Sequence, residues 1–295
     1  MKIKKIIPII ILLIMVIAGG LKYFSLKEID KNNIDVFKYI DCVDKVSDNK
    51  IQVNWKYVAS IIGVINDNNF KNVSNSDIEK VSQLFIEEKN GSYKLKKLEN
   101  VLDGLEFNNK EKSRVNDYIN DLVNYGVKPS SLNPNSDNIK FINDIKQDAI
   151  DNYKVYKILP SITIAQAILE SSWGKSKLSK DFNNLFGIKA DKYWNGEYVT
   201  LETKEHVDTT INDKFRKYND KKKSIADHAK FLSENKRYKA NGVFNANTYI
   251  YQAQALENAG YSTVANEKGE LTYADMLINL IKQYNLQLID SEVQS

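Results

Sequence analysis

One carboxylate stands alone in the stretch Ser161-Ile-Thr-Ile-Ala-Gln-Ala-Ile-Leu-Glu170-Ser-Ser-Trp-Gly174: Glu170 is its only charged side chain. An ionised carboxylate among aliphatic neighbours is costly unless it is paired or protonated. Desolvation against Trp173 and the aliphatic side chains raises the pKa of such a group. Its place at the negative end of a helix works in the same direction. A carboxylic acid kept protonated near neutral pH can serve as a general acid, for instance toward a glycosidic oxygen. The competing reading is a glutamate at a helix end that simply reaches solvent.

The element that must position Glu170 is a short helix. Ser161, after Pro160, is the expected N-cap, and Gly174 the expected left-handed stop. Ile164, Ala167, Ile168 and Ser171 form one stripe, and Ile162, Ala165, Leu169 and Trp173 form a second beside it. A helix apolar nearly all round is expected to be buried. Beyond it, Asn183, Asn184 and Gly187 predict a tight loop that carries Leu185, Phe186 and Ile188 inward. Residues 196–218 then change period. Tyr198-Val-Thr-Leu-Glu-Thr alternates, as does Lys214-Phe-Arg-Lys-Tyr, which predicts a small antiparallel hairpin. Helices follow over 224–233, 248–259 and 272–286.

Upstream, residues 25–136 read as an all-helical accessory region. Ser76-Asp-Ile-Glu79 has capping-box spacing, with Asn75 an equal alternative, and Asn90-Gly91 marks a turn. No cluster in this region points to catalysis. The turn-rich run 129–137 is the expected boundary, which gives a catalytic domain over 137–291. Residues 1–24 carry Lys2, Lys4 and Lys5 before an uncharged run from Ile6 to Leu21. That pattern is either a membrane anchor or a cleaved signal peptide, and both put the rest of the chain outside the cytoplasm. The expected fold class is therefore α+β, mostly helical, with a small antiparallel hairpin in the catalytic domain, an all-α region before it and an N-terminal membrane segment.

Composition narrows the chemistry. The 42 basic and 38 acidic side chains leave a net charge of +4, a mild excess that suits an anionic surface such as a cell wall. No nucleic-acid partner is expected. A lone cysteine, Cys42, excludes an internal disulfide, and with only His206 and His228 the chain cannot build a Cys/His zinc cluster. No metal and no cofactor are expected.

Four motifs in order carry a family resemblance: Ala167-x-x-Glu170-x-x-x-Gly174, Asn184-Leu-Phe-Gly-Ile-Lys189, Lys214-Phe-Arg-Lys-Tyr218 and Ala259-Gly-Tyr-Ser-Thr263. Together they resemble glycoside hydrolase family 73, bacterial peptidoglycan N-acetylglucosaminidases with a lysozyme-like fold. The resemblance implies an endo-β-N-acetylglucosaminidase that cleaves the β-1,4 bond on the reducing side of N-acetylglucosamine. It makes Glu170 the general acid and places a second carboxylate on the hairpin. Thr203-Lys-Glu205-His206 fits that position, so Glu205 is the candidate, with Glu202 as the alternative register. It also makes Tyr261 a substrate contact, against a core aromatic, although the run after it lacks the family's Asp-Pro. Asn184 and Phe186 either line or support the groove as substrate-binding residues, or serve packing alone. Trp194, with Tyr193, offers rings to pyranose faces, and Trp173 is expected to buttress Glu170. His228 reads as a core histidine, and Lys221 to Lys223 as a solvated face or a contact to anionic wall polymer.

The implied partners are peptidoglycan strands, the bacterial membrane through the N-terminal segment, and a membrane or wall-synthesis protein for the helical region. The implied location is the outer face of the cell membrane, or the wall if residues 1–20 are removed. A muramidase or lytic transglycosylase on the same core, and a non-catalytic wall-binding scaffold, remain as alternatives.

Overall fold

The computed structural model describes residues 28–127, 132–204 and 210–295. The expected membrane anchor or signal, residues 1–24, lies outside them. No helix among the described residues is long and apolar enough to cross a membrane. The chain forms two compact units. One comprises residues up to Val46 with Asn54–Glu87 and Lys96–Tyr125; the other comprises Ser47–Val53, Glu88–Leu95 and Gly126–Ser295.

In the first unit α1 (Val36–Ser47), α2 (Trp55–Ile65), α3 (Asn75–Gln83), α4 (Leu98–Gly104) and α5 (Asn109–Asp121) follow one another. The most apolar, α2, buries Val58, Ala59, Ile61 and Ile62 and packs on α3 and α5. Helix α3 starts earlier than either expected cap: Ser74 accepts from the Asp77 amide while the Asp77 carboxylate accepts from the Ser74 amide. Asp is shorter than Glu but serves the same reciprocal box. Cys42 is buried in this core.

The expectation of an all-helical region before residue 136 fails at one place. Strands β1 (Ile86–Lys89) and β2 (Ser92–Leu95) pair across Asn90 and Gly91, whose φ values are 54° and 76°. Asn-Gly with both residues in the left-handed region is the favoured two-residue hairpin connection, because its twist matches that of the strands. That turn chemistry outweighs the helical pattern on either side.

The second unit is built around α7 (Pro160–Ser171), which packs against α6 (Asp137–Tyr156), α11 (Tyr249–Asn258), α12 (Tyr273–Tyr284) and α13 (Gln287–Gln294). Ile162, Ile164, Ala165, Ala167 and Ile168 are buried, as the two stripes predict. Each fully buried aliphatic of Ile size contributes roughly 1.5–3 kcal/mol. A helix buried this deeply has no water at its first turn, so its free N–H groups need partners from the protein. Ser161 is not the N-cap. Pro160 occupies the first helical position, and the capping residue, Leu159, offers no side-chain acceptor. Asp290 of α13 acts instead. It accepts from the Ser161 amide at 2.9 Å and pairs with the Ser161 hydroxyl at 2.5 Å.

Helix α7 ends in three successive left-handed residues, Ser172 (φ 49°), Trp173 (φ 63°) and Gly174 (φ 70°). A Cβ on Gly174 would lie 2.6 Å from the Phe141 ring, so only glycine fits that turn. The short helix α8 (Lys177–Phe182) follows. Next comes the predicted hairpin, β3 (Tyr198–Lys204) antiparallel to β4 (Thr210–Arg216), with Leu201 opposite Asp213. Helices α9 (Lys221–Glu234) and α10 (Lys236–Ala240) lead on to α11 and α12, and α9 packs on α6.

Candidate functional site

Because the chain turns away sharply after Ser171, the last turn of α7 is left open on one face, and Glu170 emerges there. Its side chain is exposed, not enclosed as the apolar helix predicts. Crowding along its stem and one flank still raises the carboxyl pKa, while a hydrogen bond from the Tyr273 hydroxyl, 3.0 Å from Oε1, pulls the other way. Solvent on the open flank tempers the rise. The arrangement suits a general acid: one side of the carboxyl is held by the protein, and the other is free for an incoming oxygen.

The Trp173 indole makes its ring contacts with Tyr284 (4.8 Å) and Phe141 (6.3 Å) and so braces the turn after α7. The group that fixes Glu170 is Tyr273, at the start of α12, whose hydroxyl also accepts from Nε2 of the fully buried Gln166 at 3.0 Å. Sequence reasoning missed both. An aromatic and a glutamine at helical spacing read as ordinary packing positions, and no local motif marks them.

Tyr261 stacks on Tyr273 with ring centroids 5.2 Å apart. Its hydroxyl lies 3.3 Å from His228 Nε2, and the His228 imidazole stacks on Phe186 at 3.8 Å. A continuous column thus runs from Phe186 through His228, Tyr261 and Tyr273 to Glu170. Two motifs far apart in sequence, the 184–189 loop and the 259–263 turn, meet in it. Tyr261 is half-buried, next to the acid but packed on three rings. His228 is a core histidine, as expected; burial lowers its pKa to about 3, so the imidazole is neutral. Its Nδ1 has no hydrogen-bond partner among the described residues.

Asn184 is buried and works as a staple. Its amide nitrogen donates to the Ile188 and Arg216 carbonyls at 3.0 and 2.8 Å, and its oxygen accepts from the Ile188 amide at 3.1 Å. Those bonds tie the 184–189 loop to β4. Both Asn184 and Phe186 are buried, and their visible contacts are packing ones. Trp194 stands on the loop before β3, half-buried, with its indole N–H on the Glu197 carbonyl and the Arg216 guanidinium 4.4 Å from its ring. Lys221 and Lys222 pair with Asp144 and Asp148 of α6, which accounts for most of the basic run.

Glu205, the expected second carboxylate, lies outside the described residues, as does His206. The alternative, Glu202, is exposed on β3 opposite Asn212. Among the described residues no group of three His, Cys, Asp or Glu side chains could hold a metal ion.

Residues 146–286 match the glucosaminidase family, described as mannosyl-glycoprotein endo-beta-N-acetylglucosaminidase. That part of the chain belongs to the glucosaminidase family, glycoside hydrolase family 73. The glucosaminidase domain is similar to the exo-glucosaminidase LytG of Bacillus subtilis, 40% identical over 158 residues, 51% of this chain and 52% of that protein. It is also similar to the peptidoglycan hydrolase FlgJ of Vibrio parahaemolyticus, 33% identical over 48% of this chain and 45% of that protein. The chain spans about half the length of the curated relatives it matches. Among solved structures, the catalytic domain of the autolysin Auto from Listeria monocytogenes is 34% identical and covers 62% of this chain and 98% of its own, with a TM-score of 0.45. The matched region contains the whole column from Phe186 to Glu170 but not Asp290.

Proposed function

We propose that the protein is a peptidoglycan hydrolase that cleaves the β-1,4 bond on the reducing side of N-acetylglucosamine, with Glu170 as general acid. The observation that carries this reading is the carboxyl of Glu170 at the open end of a buried helix, desolvated on one flank and held by Tyr273. Hydrolysis of a glycosidic bond needs a proton for the leaving oxygen and negative charge near the oxocarbenium-like centre. Glu170 gives the proton. Glu205, on the resemblance of its segment to the family's hairpin motif, supplies the second carboxylate, either activating water or stabilising the cation. Tyr261 flanks the acid and contacts the sugar, and Trp194 lies at the hairpin side of the groove. The names of LytG and FlgJ support the substrate class, since both are glycan or peptidoglycan hydrolases by name.

Anchoring at the outer face of the membrane is part of the same proposal. It rests on the three lysines and the uncharged run that follows them within residues 1–24. In this arrangement the first unit serves as an accessory region that meets a membrane or wall-synthesis protein.

The deciding experiment digests purified cell wall and identifies the sugar at each new reducing end. N-acetylglucosamine is the expected product. Muramic acid or its anhydro form would replace this reading with a muramidase or lytic transglycosylase. Glu170→Gln should abolish release of soluble fragments without changing the thermal midpoint; undiminished release would remove Glu170 from the mechanism.

A further inference from the structure

A pocket of about 610 Å³, whose lining includes Trp194 but not Glu170, lies between the loop before β3 and the exposed side of α9 and α10. Its volume falls within the ~300–1,000 Å³ of small-molecule sites. The lining is unusual for a sugar site because it alternates charge. Arg216, Lys230 and Lys236 are cations in it, and Asp191, Asp227 and Glu234 are anions. Tyr193 and Phe231 supply apolar panels.

Two of the three cations, Arg216 and Lys236, have unspent capacity. Arg216 is fixed by Asp227 at Nη1 (2.8 Å), by the Lys189 carbonyl at Nε (3.2 Å) and by Trp194 beneath its plane. Its Nη2 reaches only to 4.0 Å from Asp191, beyond hydrogen-bonding range. A guanidinium with that edge free presents donors of fixed direction to a carboxylate. Lys236 is exposed and has no ion-pair or hydrogen-bond partner among the described residues. On the anionic side, Glu234 pairs with Lys230 at 3.6 Å. Tyr193 is 77% exposed, with the Lys192 ammonium 4.9 Å from its ring.

We propose that this pocket binds the peptide portion of peptidoglycan, a short peptide that carries both a carboxylate and an amine. The proposal rests on the peptidoglycan reading above. The glycan itself offers no charge to six charged side chains, because its N-acetyl groups are neutral and each muramyl carboxyl is tied up in the amide to its peptide. The peptides it bears carry carboxylates for Arg216 and Lys236, an ammonium for Asp191 and Glu234, and aliphatic stems for Tyr193 and Phe231. The pocket is joined to the acid by ring contacts, from Phe231 to Tyr238 (6.3 Å), Tyr238 to Tyr261 (6.2 Å) and Tyr261 to Tyr273. A peptide seated there would position its glycan strand relative to Glu170 and make the enzyme selective for strands that still bear peptides.

The test uses the full chain in detergent and two probes: the tripeptide L-alanyl-γ-D-glutamyl-L-lysine, and the same peptide with its amines acetylated and its carboxylates amidated. The charged peptide should bind saturably, and the blocked one about tenfold more weakly or worse, the scale of one charge-assisted contact. Lys236→Ala and Tyr193→Ala, both at exposed positions, should each weaken the charged peptide by a similar factor. Wild-type kcat/KM on peptide-bearing glycan should exceed that on peptide-stripped glycan, with the gap narrowed by either variant. Absence of saturable binding, equal affinity for the blocked peptide, or variants that bind as wild type would overturn the proposal. Glycan cleavage without peptide binding would sink this inference alone. Peptide binding by a chain that leaves glycan uncut would sink the glycosidase reading and leave the pocket's ligand standing.

Discussion

The sharpest test of the forces holding the site concerns Asp290, which lies outside the matched 146–286 region yet holds the first turn of α7. Its carboxyl is fully buried. Burial pushes its pKa up to about 7, against the opposing pull of the Ser161 amide and hydroxyl. The anion would also be favoured by the positive end of the helix, but desolvation is the larger effect. In the unfolded chain the same carboxyl titrates near 3.8. The folded protein therefore holds this proton more tightly, and folding stability from this group is fully present below pH ~4 and is lost as pH rises toward 7. At ~1.4 kcal/mol per pH unit, the difference approaches roughly 4 kcal/mol by pH 8. Asp290→Asn keeps the shape: its carbonyl can accept from the Ser161 amide and its NH₂ can donate to the Ser161 hydroxyl. The variant should match the wild type near pH 4 and exceed it progressively up to pH 8. Denaturant midpoints of both proteins at half-unit pH steps would show the two curves diverging. Parallel curves across that range would mean that Asp290 is ionised in the folded state and that the amide and hydroxyl outweigh desolvation.

Other outcomes follow from the same geometry. Tyr273→Phe removes the hydroxyl that stabilises the Glu170 anion and leaves Gln166 Nε2 without its acceptor. It should cost about 1–3 kcal/mol of stability and move the alkaline limb of the activity profile upward, read by dye release against pH. On the proposed acid role, that limb in the wild type reports loss of the Glu170 proton, so activity should fall as pH climbs through its raised pKa; a profile flat through the alkaline range would argue against an acid role. Gly174→Ala, with φ at 70° and Phe141 at 2.6 Å, should lower stability by roughly 1–3 kcal/mol or more and reduce activity with it, measured on the same preparation. Asn184→Ala strips the partners from buried groups of the 184–189 loop and should cost a few kcal/mol, about 1–3 per group left unpaired; a thermal midpoint within a degree of wild type would refute its role as a staple.

What the sequence shows depends on how local the cause is. The α7 stripes, its abrupt end and the β3–β4 hairpin are set by periodicity and by turn residues within a few positions, and all three appear where expected. Helix caps are legible only in kind: Ser74 and Asp77 replace the expected box by two residues, because several Ser, Asn and Asp side chains compete in that stretch. The chemistry of Glu170 is half legible. Its raised pKa and the desolvation behind it are foreseen, but the opposing partner is not: Tyr273, a hundred residues on, holds the carboxyl. Partners of that kind come from tertiary packing, and no spacing in one chain reveals them. The same holds for Asp290 beneath Ser161. Exposure of Glu170 follows from the three left-handed residues after α7, where Gly174 is the only visible sign. An apolar helix says that a carboxylate near its end will be crowded; the turn that follows decides which side stays open. A general acid needs both conditions at once, crowding to keep its proton and an open face to deliver it, and these are set by different parts of the chain.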